Sequence, residues 1–191
     1  TASQATDGSG DVTITFIMDD EDDNDTLQAK VAYSDDGGSD AYAHDPTLST
    51  ADGETTATYG DPGIDNDAAT YQVGTGAAYI TSSSGANTVS IVWESKTDEA
   101  STSISDAKIQ ITPYDGSSAG TAAVSSDFTL DNAAPTAPTL SYSTPIGADS
   151  TIVSGSASEA SANVYLDGVD TGTDVAGDGT TSATVLAEAI F

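Results

Sequence analysis

The sequence lacks cysteine and arginine, and only three lysines stand against 31 acidic residues. Without thiols the chain can form neither disulfide bonds nor thiolate metal sites. Its formal charge is −28, and a surface of that sign repels the phosphates of nucleic acids and of anionic membranes. We therefore expect no nucleic-acid partner and no membrane insertion, and we expect cations to be the natural small ligands.

Residue types that carry catalysis are also scarce. The single histidine, His44, lies in a loop-like stretch, and no Gly-Xaa-Ser-Xaa-Gly motif accompanies it, so the sequence nominates no catalytic triad. One histidine without any cysteine argues against a zinc site. No two of the acidic residues stand out as a glycosidase pair. The sequence therefore predicts a protein that is not an enzyme.

Long apolar runs are missing as well, and none approaches the ~18 residues of a membrane-spanning helix. No signal peptide is visible in the first residues, TASQATDGSG, and we interpret the chain as a mature or trimmed piece of a longer protein. Charged residues make up only 18% of the chain and are scattered through a background of Thr, Ser, Ala and Gly, which argues against wholesale disorder.

Apolar and polar residues alternate along five segments of the first 131 residues, which predicts antiparallel strands with one buried face. The segments are DVTITFIM (11–18), TLQAKVAY (26–33), TVSIVWES (88–95), AKIQITPY (107–114) and VSSDFTLD (124–131). The lone tryptophan, Trp93, lies on the apolar phase of its segment and is expected in the core rather than on a sugar-binding surface. No segment has a helical period. The sequence therefore predicts an all-β fold.

A proline-containing stretch, LDNAAPTAPTL at 130–140, marks the border between two regions. Pro135 and Pro138 impose an extended, stiff connection there. Strand-like segments follow at the spacing of a β-sandwich: TLSYS, STIVSG, SANVYLDG and TSATVLAEAI. We therefore predict two domains, at 1–131 and 132–191.

Several of these segments resemble modules of known proteins. GSGDVTITFIMDDEDDNDTLQAKVAYSDDGG, with TVSIVWESKTD, IQITPYDG and SDFTLDNAAPT after it, resembles fibronectin-III-like or Ig-like modules of large bacterial surface and secreted proteins. STIVSGSASEASANVYLDGVDTGT is similar to the opening half of the Ig-like repeats of biofilm adhesins. The resemblance implies two tandem Ig-like/fibronectin-III-like β-sandwich modules. Because such a sandwich takes about 7 strands and ≈ 100 residues, we expect the second module to be incomplete or completed in trans.

An acidic tract, MDDEDDNDT at 18–26, stands between two strand-like segments that we expect to form a hairpin. It could be a calcium cradle, a solvated acidic loop or a disordered tract, and the composition argues against the last. Calcium takes 6–8 oxygen ligands, and unneutralised repulsion would oppose strand pairing at a hairpin, which favours calcium slightly although the spacing is not that of an EF-hand. The predicted ligands here are Asp19, Asp20, Asp22, Asp23 and Asp25.

The end of the last strand-like segment of the first domain gives a second candidate calcium site. Asp131 and Asn132 directly precede the proline-containing border, where calcium stiffens the joint in many tandem cell-surface modules that this chain resembles. The alternative is that Asp and Asn merely favour a turn.

From these features we expect a structural subunit of an extracellular filament, surface layer or adhesin stalk, located at the cell surface and built from copies of itself. The final run, ATVLAEAIF at 183–191, is apolar, and an unpaired strand edge there would be a template for strand addition to a neighbouring copy. The alternative is an accessory or carbohydrate-binding module of a secreted enzyme, although no motif in the sequence supports glycan binding.

Overall fold

The computed structural model describes residues 1–21, 26–76, 78–136, 141–142, 151–156, 163–166, 169–174 and 180–185. The chain divides into two compact units, unit 1 (Thr1–Ala133) and unit 2 (Ala134–Phe191). The border predicted from the sequence follows residue 131. In the structure, Asn132 and Ala133 still belong to unit 1.

The described part of unit 1 contains eight short or medium strands and one turn of helix, α1 (Ser95–Asp98). The strands are β1 (Ala2–Gln4), β2 (Asp11–Met18), β3 (Gln28–Ser34), β4 (Thr56–Ala57), β5 (Asn87–Glu94), β6 (Ser103–Tyr114), β7 (Ala123–Val124) and β8 (Phe128–Asp131). One antiparallel sheet has the order β1-β2-β5-β4; the other has the order β3-β6-β7, and β8 also pairs with β6. The prediction of an all-β protein is confirmed.

The long central pairings set the register of each sheet. β2 pairs with β5 over its whole length, from Asp11 opposite Glu94 to Met18 opposite Asn87. β3 pairs with β6 in the same way. Buried apolar side chains from both sheets belong to one core cluster, whose largest fully buried members are Val12, Ile14, Val31, Leu48, Val73, Ile80, Val89, Ile91, Trp93, Ile109 and Leu130.

The predicted alternation is confirmed along β2, β3, β5 and β6. The inward positions of these strands are buried, apart from Phe16, which packs partly buried against the core. Trp93 is 0% exposed, as expected for a residue on the apolar phase of a buried strand.

The fifth predicted segment, 124–131, is wrong in part. It forms two short strands, β7 and β8, instead of one, and Val124 is 47% exposed. Val124 lies opposite Gln110, on the outward phase of β6, whereas Phe128 lies opposite the buried Ala107. Residues 125–127 belong to neither strand, so the alternation is interrupted there, and Val124 and Phe128 face opposite sides of the sheet.

The expected hairpin around the acidic tract is not formed. β2 pairs with β1 and β5, while β3 pairs with β6. The connection from Asp19 to Leu27 therefore leads from one sheet to the other, and repulsion within it does not oppose the pairing of the two strands that flank it. Since that repulsion was part of the argument for calcium, the case for an ion is weaker than the sequence suggested.

Unit 2 contains five described strands: β9 (Ser141–Tyr142), β10 (Thr151–Ser156), β11 (Asn163–Leu166), β12 (Val169–Asp174) and β13 (Thr180–Val185). β10 pairs antiparallel with β13 on one side and β9 on the other, and β11 pairs with β12. The end of the run expected to join a neighbouring copy, 186–191, lies outside the described residues. Among the residues that are described, no helix is long and apolar enough to cross a membrane.

Candidate functional site

Two of the five residues predicted to bind calcium in the acidic tract are described. Asp19 is exposed and Asp20 is half-buried, and both follow the last residue of β2. Asp22, Asp23 and Asp25 lie outside the described residues. Calcium binding by this tract stays a prediction.

The other predicted pair, Asp131 and Asn132, lies where the end of β8 meets the start of the chain. Asn132 is 7% exposed, and its amide nitrogen donates to Ser95 Oγ at 2.9 Å and to the Glu99 carbonyl at 3.0 Å. Its amide oxygen accepts from Gln4 Nε2 at 2.8 Å, while Gln4 Oε1 accepts from the Asp131 N–H at 2.7 Å. Asn132 therefore clamps β1 to the end of unit 1, and its oxygen already has a donor. Asp131 is exposed and caps the Ala133 N–H at 3.2 Å.

The structure brings together three residues that the sequence analysis did not combine: Asp35, Asp40 and His44. Asp35 directly follows β3, whose last residue, Ser34, is fully buried. The Ser34 hydroxyl donates to Asp36 Oδ1 at 2.9 Å and accepts from the Gly38 N–H at 2.8 Å. These hydrogen bonds fix the start of the 35–44 loop against the sheet.

The same loop is tied down at Asp40. Asp36 Oδ1 accepts the Asp40 N–H at 2.9 Å, and the hydrogen bond from Asp40 is the main reason why the pKa of Asp36 is lowered. Ala41 and Tyr42 both adopt a φ of 58°, which residues other than glycine seldom do. The backbone of this loop is therefore set by specific contacts.

His44, at the end of the 35–44 loop, is hydrogen-bonded to Tyr33 of β3 and stacked against its ring. The Tyr33 N–H donates to the His44 carbonyl at 2.9 Å, and the two rings stack with centroids 5.0 Å apart. Burial raises the pKa of Tyr33, and its hydroxyl donates to Glu99 Oε1 at 2.9 Å. Tyr33 is therefore a neutral, immobilised surface for the imidazole.

Three ligand-type atoms converge at this cluster. His44 Nε2 lies 3.2 Å from Asp40 Oδ2 and 3.9 Å from Asp35 Oδ1, and all three atoms lie within 4.8 Å of one another. Carboxylate oxygens and an imidazole nitrogen are protein ligands for divalent metal ions. The sequence signal for this cluster is the run DDGGSDAYAHD at 35–45, in which acidic residues precede the histidine. Because the run contains one histidine and no cysteine, the histidine and cysteine spacings typical of zinc sites do not reveal it.

A second feature is an apolar cleft of about 540 Å³ lined by both sheets of unit 1. On one side is the C-terminal half of β2, where Ile17 is 67% exposed, and on the other is β7 with the exposed Val124. β1 pairs with β2 only as far as Ile14, and the last contact is from the Thr15 N–H to the Thr1 carbonyl at 2.9 Å. On its outer side, β7 pairs with no further strand in the described part of the chain.

Comparison of the chain with protein-family models, curated proteins and solved structures finds no match. The similarity to Ig-like and fibronectin-III-like modules therefore depends on the segments quoted above, and function has to be argued from the residues and their geometry.

Proposed function

We propose that this protein is a structural subunit of an extracellular filament, surface layer or adhesin stalk, in which copies associate by strand addition. The observation that carries the proposal is the apolar cleft between β2 and β7. It combines the outer edge of β7, which pairs with no further strand among the described residues, with exposed apolar side chains, and that combination is what an added strand needs.

The order of the strands supports an Ig-like β-sandwich for unit 1. The order β1-β2-β5-β4 in one sheet and β3-β6 with β7 and β8 in the other corresponds to the ABED and CFG sheets of constant-type Ig domains. Modules of this type act as spacers, binders and polymer subunits alike. The fold is therefore compatible with the proposal, and the cleft is what favours assembly over a passive spacer.

Strand addition at the cleft would satisfy two needs at once. The outer edge of β7 carries backbone groups that an incoming strand could pair with. The exposed Ile17 and Val124 would be covered, and burial of an aliphatic side chain contributes roughly 1.5–3 kcal/mol. A head-to-tail contact of this kind between identical copies gives an open filament when the rotation does not close into a ring.

The extracellular location and the calcium ions are part of the same proposal. The acidic, cysteine-free composition supports a protein that uses ions rather than disulfides for stabilisation. Calcium at Asp19, Asp20 and the rest of the acidic tract would neutralise the densest charge of the chain.

The experiment that tests the proposal measures the mass of the assembly as the concentration rises. Size-exclusion chromatography with light scattering, followed by negative-stain images, should give concentration-dependent polymers for the wild-type chain. Ile17→Asp places a charge in the cleft and should leave a monomer. Tyr59→Asp is the matched control, since Tyr59 is an exposed apolar residue that does not line the cleft, and this variant should polymerise normally.

A wild-type chain that stays monomeric at every concentration contradicts the proposal, and so does an Ile17→Asp chain that polymerises as well as the Tyr59→Asp control. Circular dichroism of the three proteins shows whether the substitutions leave the fold intact. If Ile17→Asp is unfolded, Val124→Asp, on the other side of the cleft, provides the same test.

A carbohydrate-binding module is the second candidate. The observation that favours it is a pair of half-buried tyrosines, Tyr71 and Tyr114, whose rings stack with centroids 4.4 Å apart. Aromatic faces at a protein surface are platforms on which sugar rings can pack. Saturable glycan binding that is lost in Tyr71→Ala would support this alternative, and its absence on a broad glycan array would remove it.

A further inference from the structure

We propose that Asp35, Asp40 and His44 bind a divalent transition-metal ion of the zinc class, through Asp35 Oδ1, Asp40 Oδ2 and His44 Nε2. A single histidine without any cysteine argues against a zinc site only where the ligands are histidines and cysteines, and here two carboxylates complete the set. The proposal is independent of polymer formation, and neither depends on the other being correct.

The distances between the ligand atoms fit one ion. Zinc binds an imidazole nitrogen at about 2.0–2.1 Å and a carboxylate oxygen at about 2.0–2.2 Å, so that two ligands about 90–110° apart at the metal lie about 3.0–3.5 Å from each other. The separation of 3.2 Å between His44 Nε2 and Asp40 Oδ2 falls in this range. Asp35 Oδ1, at 3.9 Å from Nε2, reaches the same ion after a small rotation of an exposed side chain.

The state of Asp40 Oδ2 is the independent observation that points to a ligand. This oxygen is shielded from solvent and accepts no hydrogen bond within the described part of the chain, and His44 Nε2 lies 3.2 Å from it. A buried carboxylate oxygen that accepts no hydrogen bond costs free energy. An ion bound between Oδ2 and Nε2 would supply the missing interaction.

The donor set selects the kind of ion. Calcium and magnesium take oxygen ligands almost without exception, whereas imidazole suits zinc, copper, nickel and iron. Two carboxylates and one imidazole carry a formal charge that a divalent cation neutralises. Three protein ligands leave a fourth position for water or for a group from another molecule.

Contacts behind the ligands hold them in place, as is typical of metal sites. Asp40 Oδ1 accepts the Tyr42 N–H at 3.1 Å, which leaves Oδ2 to the cluster. The imidazole is stacked on Tyr33 and its backbone is bonded to the same residue. The ligands are thus oriented by the fold, so that an ion would bind without a large rearrangement.

Calorimetric titration of the metal-free chain with zinc chloride tests the proposal. An excess of calcium chloride should be present to occupy sites made of carboxylates alone. We expect one tight zinc site in the wild type and an affinity at least about tenfold lower in His44→Gln and in Asp40→Asn. Asp52→Asn is the matched control, because it removes an exposed carboxylate outside the cluster, and its affinity should equal that of the wild type.

The second readout follows the imidazole itself. His44 is the only histidine, so its ring gives one resolvable set of NMR signals in the full wild-type chain. Zinc should shift these signals with a stoichiometry of one, and calcium at the same concentration should leave them unchanged. Imidazole signals that do not respond to zinc overturn the proposal even if His44→Gln fails to fold, and so does a folded His44→Gln chain that binds zinc as tightly as the wild type.

Discussion

Asp98 connects three groups of unit 1 through a single carboxylate. Trp93 Nε1 donates to its Oδ2 at 2.6 Å, and the Thr47 N–H donates to the same oxygen at 2.7 Å. The Thr47 hydroxyl donates to Oδ1 at 2.7 Å. The indole N–H of a fully buried tryptophan needs an acceptor, and Asp98 in the short helix α1 supplies it. The same carboxylate holds Thr47 next to β5.

At this scale we predict that Asp98→Ala destabilises unit 1 by about 2–3 kcal/mol, because it leaves a buried indole N–H and a backbone N–H without an acceptor. Urea unfolding followed by tryptophan fluorescence measures the change, since Trp93 is the only tryptophan. Asp52→Ala, which removes an exposed carboxylate, should change stability by less than about 0.5 kcal/mol. Equal effects of the two substitutions would contradict the role assigned to Asp98.

The outer edge of β3 is covered by isolated contacts instead of a neighbouring strand. Single bridges pair Leu27 with Ile80, Ala29 with Val73 and Tyr33 with His44. Between the bridges at Ala29 and Tyr33, the buried side chain of Gln72 makes the hydrogen bonds that a neighbouring strand would make. Its Oε1 accepts the Val31 N–H at 3.0 Å, and its Nε2 donates to the Val31 carbonyl at 3.2 Å. An edge closed in this way is protected from pairing with another chain, unlike the outer edge of β7 at the cleft.

For this element we predict that Gln72→Ala costs about 2–3 kcal/mol, because both backbone groups of a buried strand residue lose their partner. Hydrogen exchange at the Val31 amide should become faster, and denaturant unfolding should give the change in stability. Gln28→Ala is the matched control, since Gln28 lies half-buried on the same strand without a hydrogen bond from its side chain. A Gln72→Ala protein as stable and as protected as this control would be inconsistent with the prediction.

Over the whole molecule the charge is barely compensated. Each of the three lysines has a partner: Lys30 lies 3.7 Å from Asp45, Lys108 lies 3.2 Å from Asp127, and Lys96 donates to the Gly8 carbonyl. Two exposed ion pairs leave the net charge at −28. Self-repulsion of that size opposes the compact state, so that cations should stabilise the fold both by screening and by binding.

We predict that the two effects can be separated by melting experiments. Sodium chloride should raise Tm through screening, and calcium at matched ionic strength should raise it by about 5–10 °C more if it binds only the folded state at a concentration far above its Kd. Asp19→Asn combined with Asp20→Asn should remove most of the additional rise. Identical curves in sodium and calcium, together with a melt that EDTA leaves unchanged, would exclude calcium binding by the acidic tract.

The all-β class, the buried phase of β2, β3, β5 and β6, and the core position of Trp93 follow from the amino-acid order alone. The physical reason is that alternation with a period of two is a local property of a strand that buries one face. It failed at Val124 because residues 125–127 interrupt the strand, and this interruption is invisible in the alternation of the sequence.

Which strands pair and which polar groups meet depends on the packing of distant parts of the chain. The acidic tract connects two sheets, Asn132 clamps β1, and Asp98 serves Trp93, all through contacts between distant parts of the chain. Asp35, Asp40 and His44 are close in sequence, yet their convergence depends on the left-handed backbone at Ala41 and Tyr42 and on the bond from Tyr33 to His44. Side-chain distances in a loop follow from its backbone angles and its anchor points, and composition and spacing specify neither.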